Sequence, residues 1–89
     1  GRKVSNYNEI IWNGKRQIVV YNGLCAKFQN PKLKSELKAT GDAVLAECAV
    51  RDCIWGIGLS MTDSKRLEME KWRGQNLLGF SLMMVRDEV

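Results

Sequence analysis

Arg51-Asp52-Cys53-Ile54-Trp55-Gly56-Ile57-Gly58-Leu59 fits neither a helix nor a plain strand. Two glycines flank a single apolar residue directly after a tryptophan. Glycine at such positions permits backbone angles closed to other residues, or lets another group come close to the main chain. The stretch therefore reads as a shaped loop, and the rest of the chain is organised on either side of it.

Upstream the pattern is helical. Ile18, Tyr21, Cys25 and Phe28 recur at steps of three and four, with Val20 and Leu24 widening the stripe. Asn13-Gly14 before it allows a hairpin turn or a helix cap, and the cap is the preferred reading, with turn formers Ser5, Asn6 and Asn8 ahead of it. That helix should stop near Gln29, because Pro31 disfavours helical geometry at Asn30. Asn30-Pro31 is also a start signal, a cap followed by proline in the first turn. A second short helix through Ala39 places Leu33 and Leu37 on one face, and Gly41 suits the position beyond its end. Residues 44–49 predict a short strand, although a run this brief also suits a helix.

Downstream of the loop, residues 60–71 are polar and charged, an exposed loop or surface helix. Trp72-Arg73-Gly74-Gln75-Asn76 forms another turn. A last helix begins near Leu77, with Leu78, Leu82, Val85 and Val89 on its inner face. The expected fold is a single mainly α unit with a small β element, an α+β arrangement over residues 1–89. Trp12 and Trp72 are expected in its core.

Composition excludes several classes. The 89 residues are 45% hydrophobic and 27% charged, ordinary for one globular domain. Net charge is +4, with Lys and Arg dispersed, so the surface is solvated and basic with some attraction for phosphate. Without a basic helix interleaved with aromatics, a nucleic-acid-binding module is not indicated. No apolar run reaches membrane-spanning length and no secretory leader opens the chain, which points to a cytoplasmic protein with no membrane partner. Cys25, Cys48 and Cys53 are odd in number and lack a framework spacing, and histidine is absent. Reduced, buried structural thiols follow, and neither a metal site nor a cofactor is expected.

The familiar catalytic signatures are missing: no P-loop, no dinucleotide-binding glycine fingerprint, no Ser/His/Asp set. Acid–base chemistry here rests on Asp, Glu, Lys, Tyr or Cys. Asp52-x-x-Trp55-Gly56-Ile57-Gly58, however, resembles the most characteristic motif of the NADAR superfamily (YbiA-like proteins). The resemblance extends in order across the chain. Gly1-Arg2 comes first, then Trp12 with Arg16 four residues on, then Ala26-Lys27-Phe28-Gln29-Asn30-Pro31 with Leu33, then Thr40-Gly41-Asp42. After the central motif come Trp72-x-Gly74-x-Asn76-x-Leu78-Gly79, Leu82-Met83 and Arg86. Two departures stand out. The family often carries an acid after the first tryptophan, where this chain has Asn13. A full family domain is also longer, with an N-terminal Glu-His helix that has no counterpart here, so residues 1–89 resemble the C-terminal portion of one domain.

The resemblance implies an N-glycosidase, a hydrolase of the ribose–base bond in a nucleotide such as a riboflavin-pathway intermediate or an ADP-ribosylated base. Nucleic acid would then enter only as an ADP-ribosylated substrate. The alternative is a non-catalytic module that binds a phosphorylated ribonucleoside or ADP-ribose. Breaking the bond builds positive charge on ribose, so a nearby carboxylate stabilises the transition state; Asp52 is the candidate, against a plain role capping its own loop. Trp55 either stacks on a base or packs in the core. Gly56 and Gly58 either bring backbone amides to a ligand or only form a turn. Asn76 either binds substrate at a helix end or caps it. Arg2 and Arg86 suit phosphate or a salt bridge, and Lys27 beside Phe28 suits a surface position. Alone, the 89 residues are expected to be nearly inactive, because the family's remaining acid–base groups lie in the N-terminal portion.

Overall fold

The computed structural model describes residues 6–89. Helix α1 spans Asn6–Lys27, α2 Pro31–Lys38 and α3 Leu77–Glu88, with short 3₁₀ turns at Ser64–Leu67 and Met69–Lys71. Both α1 and α2 pack against α3. Between α2 and α3 the chain runs through the shaped loop, which supplies Ile57 and Leu59 to a small core completed by Leu37 and Val85. The result is a slab 16 Å thick in its shortest dimension. Its radius of gyration is 14.7 Å, against about 12 Å for a compact chain of this length.

Helix α2 forms as its sequence predicts. Asn30 Oδ1 accepts from the backbone amides of Lys32 at 3.0 Å and Leu33 at 3.3 Å, proline occupies the first turn, and Leu37 is buried. Helix α3 starts at Leu77 as expected, with Val85 buried and Leu78 and Leu82 half-buried.

Helix α1 corrects the sequence reading. It begins no later than Asn6 and runs through Asn13-Gly14 without a break, so that pair is neither a cap nor a turn. A glycine inside a helix costs only about 1 kcal/mol relative to alanine, and packing along α3 outweighs that. The inner face comprises Val20, Tyr21, Leu24, Cys25 and Phe28, all half-buried. The Cys25 thiol one turn along, with partial burial, raises the Tyr21 phenol above its ordinary pKa. Ile18 and Trp12, expected inside, are 63% and 55% exposed, because a thin slab offers a partner layer on one side of α1 only. Gly1, Arg2 and Ser5 lie outside the described residues. No described helix is long and apolar enough to cross a membrane.

The expected β element is absent: the described residues contain no strand, and the fold is helical with irregular connections. The reason lies in the partner that residues 45–47 find. Asn76 is fully buried, and its side-chain amide behaves as a lone peptide group. Nδ2 donates to Leu45 O at 2.8 Å, and Oδ1 accepts from Glu47 N at 2.9 Å. Ile57 N adds one bond to Glu47 O at 2.9 Å. The segment is thus satisfied by a side chain and one backbone amide, and no ladder propagates. Asn76 also holds a left-handed backbone, φ 55° and ψ 41°, a conformation asparagine tolerates better than most residues. Arg86, read as a phosphate or salt-bridge residue, instead donates from Nη1 to Thr40 Oγ1 at 2.9 Å and Ala43 O at 2.8 Å, pinning the turn after α2 to α3.

Replacing Asn76 tests the clamp. Asn76→Gly suits the left-handed backbone but removes both side-chain bonds; we expect a loss of about 2–3 kcal/mol in urea unfolding, and slightly more for Asn76→Ala. A glycine variant as stable as the parent would show that the backbone angle alone matters. Gly14 has open space where a Cβ would stand. Gly14→Ala is therefore expected to stabilise the chain by roughly 0.5–1 kcal/mol in the same assay.

Candidate active site

The loop of residues 51–59 is held from within and from behind. Inside it, Asp52 Oδ1 accepts from Trp55 N at 2.8 Å and Ile54 N at 3.1 Å, closing a turn on the carboxylate. Behind it, every carbonyl from Cys53 to Ile57 accepts a backbone amide from residues 73–78, at 2.8–3.1 Å. Two of those donors, Leu77 N and Leu78 N, belong to the first turn of α3, whose amides have no partner within the helix. The loop carbonyls of Ile54 and Trp55 therefore occupy the helix end that would otherwise attract an anion.

This packing explains the glycines. A Cβ on Gly56 would stand 2.8 Å from Glu47 O and 3.0 Å from Asp52 O. Gly58 has φ 72°, and a Cβ there would stand 2.9 Å from Arg73 Cβ. The close approach foreseen at both glycines is made by the chain's own main chain and side chains, and both residues are buried.

Asp52 is half-buried, and its carboxyl lies below the ordinary aspartate value. The Trp55 amide is the largest cause, aided by those of Ile54 and Gly56 and opposed by partial burial. A carboxylate held in this way is an anion ready to face a developing cation, and a poor proton donor. The same turn orients Trp55, whose half-buried indole forms one wall of a cavity of about 360 Å³. Its other walls come from α1: Trp12, Lys15, Arg16, Val19 and Val20. The Arg16 guanidinium lies 5.0 Å from the centre of the Trp12 ring.

Of the residues singled out in the sequence, Asp52, Trp55, Gly56 and Gly58 are gathered in one loop. Asn76 joins them from behind, donating its backbone amide to Gly56 O at 2.9 Å, but its buried side chain faces Leu45 and Glu47 rather than the cavity. Arg2 lies outside the described residues. Cys25 and Cys48 are half-buried, whereas Cys53 is exposed, contrary to the expectation of three buried thiols; all three are free. Trp72, expected in the core, is half-buried and donates from Nε1 to Arg66 O at 2.9 Å. Trp12 with Arg16 stands in the sequence reading only as part of the resemblance, and their place in the cavity wall is not foreseen there. The signal for that place is the spacing 12, 16, 19 along one helical face, which is hidden once the helix is started at Asn13.

Compared with known proteins, the whole chain, residues 1–89, matches the model of the NADAR domain. The chain belongs to the NADAR family. It is 42% identical over 89 residues to an N-glycosidase of Acanthamoeba polyphaga mimivirus, covering 99% of this chain and 52% of that protein. It is 38% identical over 92 residues to the irg-1 protein of Caenorhabditis elegans, covering 100% of this chain and 43% of that one. The chain thus spans about half the length of the curated relatives it matches. No solved structure matches it.

The depressed pKa of Asp52 fixes a sign. A carboxyl whose folded pKa lies below its unfolded value near 4 adds stability that is fully present above that unfolded value. The contribution is lost as pH falls through the folded value. Asp52→Asn retains an acceptor for the Trp55 amide without the charge. Unfolding midpoints from pH 7 to pH 2 should therefore show the parent's advantage over this variant shrinking below about pH 4. A gap that stays constant with pH would mean that the charge contributes nothing to the turn.

Proposed function

We propose that this chain carries the substrate-facing loop of an N-glycosidase acting on the ribose–base C–N bond of a nucleotide. The observation that carries the reading is the Asp52–Trp55 turn. It sets an ionised carboxylate within three residues of an indole that walls an apolar cavity. Family membership and the N-glycosidase named among the relatives support the reaction type.

In this reading Asp52 stabilises the positive charge that grows on ribose as the C–N bond breaks, or orients the water that attacks the anomeric carbon. Trp55 supplies a flat apolar surface for the base. Gly56, Gly58 and Asn76 fix the loop that carries both, and Arg2 adds charge for a phosphate. Substrates in keeping with this chemistry are a phosphorylated riboflavin-pathway intermediate or an ADP-ribosylated base. Asp52, held ionised, is unsuited to protonating the leaving base. That role falls, in this reading, to the part of the family domain beyond these 89 residues, and the chain by itself retains at most residual turnover.

The test is a chimera in which these residues replace the matching half of the mimivirus N-glycosidase. Assayed by chromatography against a nucleotide panel, it is expected to release free base and ribose phosphate. Asp52→Asn should lower turnover about 100-fold or more, and the 89 residues alone should show little activity. A folded chimera that binds nucleotides without releasing base would replace this reading with the non-catalytic binding module.

A further inference from the structure

Ahead of the motif loop, residues 44–48 leave half of their main chain without a partner. The bonds already described engage Leu45 O, Glu47 N and Glu47 O, through Asn76 and Ile57. Engagement of alternate residues is the pattern of extended backbone, in which the residues between direct their peptide groups to the other side. Those residues are Val44, Ala46 and Cys48, and among the described residues none of their N–H or C=O groups has a hydrogen-bond partner. The chain forms no strand of its own here. By alternation the three side chains also share a face, and they line a groove of about 430 Å³ whose other wall includes Arg66, Leu67 and Trp72. Val44 is 52% exposed and Leu67 76% exposed, so neither belongs to the core. Among the described residues, Arg66 is the only charged side chain lining the groove. Its Nη1 donates to Asp63 O at 3.1 Å, and no described carboxylate forms an ion pair with it.

We infer that this edge and groove form a docking site for an extended peptide segment of a partner protein, apolar at alternate residues and carrying one acidic side chain. The partner's main chain takes up the free peptide groups of Val44, Ala46 and Cys48, its apolar side chains enter the groove, and its carboxylate meets Arg66. A small molecule could fill the groove but would leave that row of donors and acceptors unmatched, whereas another backbone repeats at the same spacing. The acid follows from charge complementarity, since Arg66 is unpaired by any described carboxylate and the chain's net charge is +4. A second copy of this chain fits less well, because positions 44, 46 and 48 of its matching segment carry no acid. The groove shares no lining residue with the cavity at Trp55, and the inference does not rest on the glycosidase reading.

The probe is a fluorescein-labelled peptide, Val-Thr-Val-Thr-Glu with both ends blocked, titrated with the 89-residue chain by fluorescence anisotropy. Binding is expected below about 1 mM, with amide shifts in nuclear magnetic resonance larger at Val44, Ala46 and Cys48 than at Trp55. Methylating the peptide nitrogens along one edge should weaken binding about ten-fold or more, and methylating the other edge should leave it unchanged. Glutamine in place of the peptide's glutamate, or Arg66→Gln in the chain, should each weaken binding about five-fold, and both together no more than either alone. Ala46→Pro removes an amide that bonds to no described residue, and should lower affinity about ten-fold with circular dichroism equal to the parent's. Should that variant not fold, the two methylated peptides measure the same edge on the unaltered chain. No binding, equal affinity of the two methylated peptides, or equal affinity of the glutamate and glutamine peptides would each overturn the inference. Sedimentation equilibrium of the chain alone is expected to give a monomer. A dimer that Ala46→Pro dissociates would make a second copy the occupant and overturn the peptide.

Discussion

The structure depends on one buried amide. Asn76 joins three segments distant in sequence: its side chain holds residues 45–47, its backbone N–H holds Gly56, and its left-handed turn launches α3. A single side chain offering one donor and one acceptor side by side imitates a peptide group, so it satisfies a passing chain as a neighbouring strand would. Because the imitation is one residue long, it ends where it begins. Apolar burial in a slab 16 Å thick is limited to a few side chains. Directional bonds that fix the loop relative to α3 therefore carry more of the specificity of this fold than they would in a thicker domain.

How far the sequence discloses this architecture depends on whether the deciding interaction is local. Helix α2 is legible because Asn30, Pro31 and Leu37 act within eight residues of one another, through capping, a fixed φ and a helical step. Helix α3 is legible for a similar reason, since Val85 lies at the centre of an apolar stripe that starts one turn beyond the glycine-bearing turn. Asn13-Gly14 misleads because its local preference is real but weak, and packing along α3 overrides it. The missing strand is illegible in principle. Residues 44–49 have the composition of a strand, and only the arrival of Asn76, about thirty positions away, determines that their hydrogen bonds go to a side chain.

The site divides in the same manner. Asp52, Trp55, Gly56 and Gly58 stand out in sequence because their loop is compact and its residue types unusual. Their division of labour is not visible there. The glycines look like openings for a ligand, yet each faces the chain's own atoms. Asn76 looks like the residue of an anion-binding helix end, yet the carbonyls of Ile54 and Trp55 take those amides and its side chain turns inward. Trp12 looks like core because tryptophan is so often buried, and only the continuous α1 shows it facing outward across from Trp55.

The clamp and the site are one mechanical unit. The carbonyls of Cys53 through Ile57 are all bound by residues 73–78, so the loop has little freedom to move relative to α3. Asp52 closes the turn from the other side, and its negative charge is sustained by the same amides that orient Trp55. A charge fixed in advance need not reorganise, and this is the property that the proposed reaction would draw on. Glycines buried against backbone and an asparagine buried against a passing chain are therefore not idle scaffold. They hold the carboxylate and the indole in one fixed arrangement.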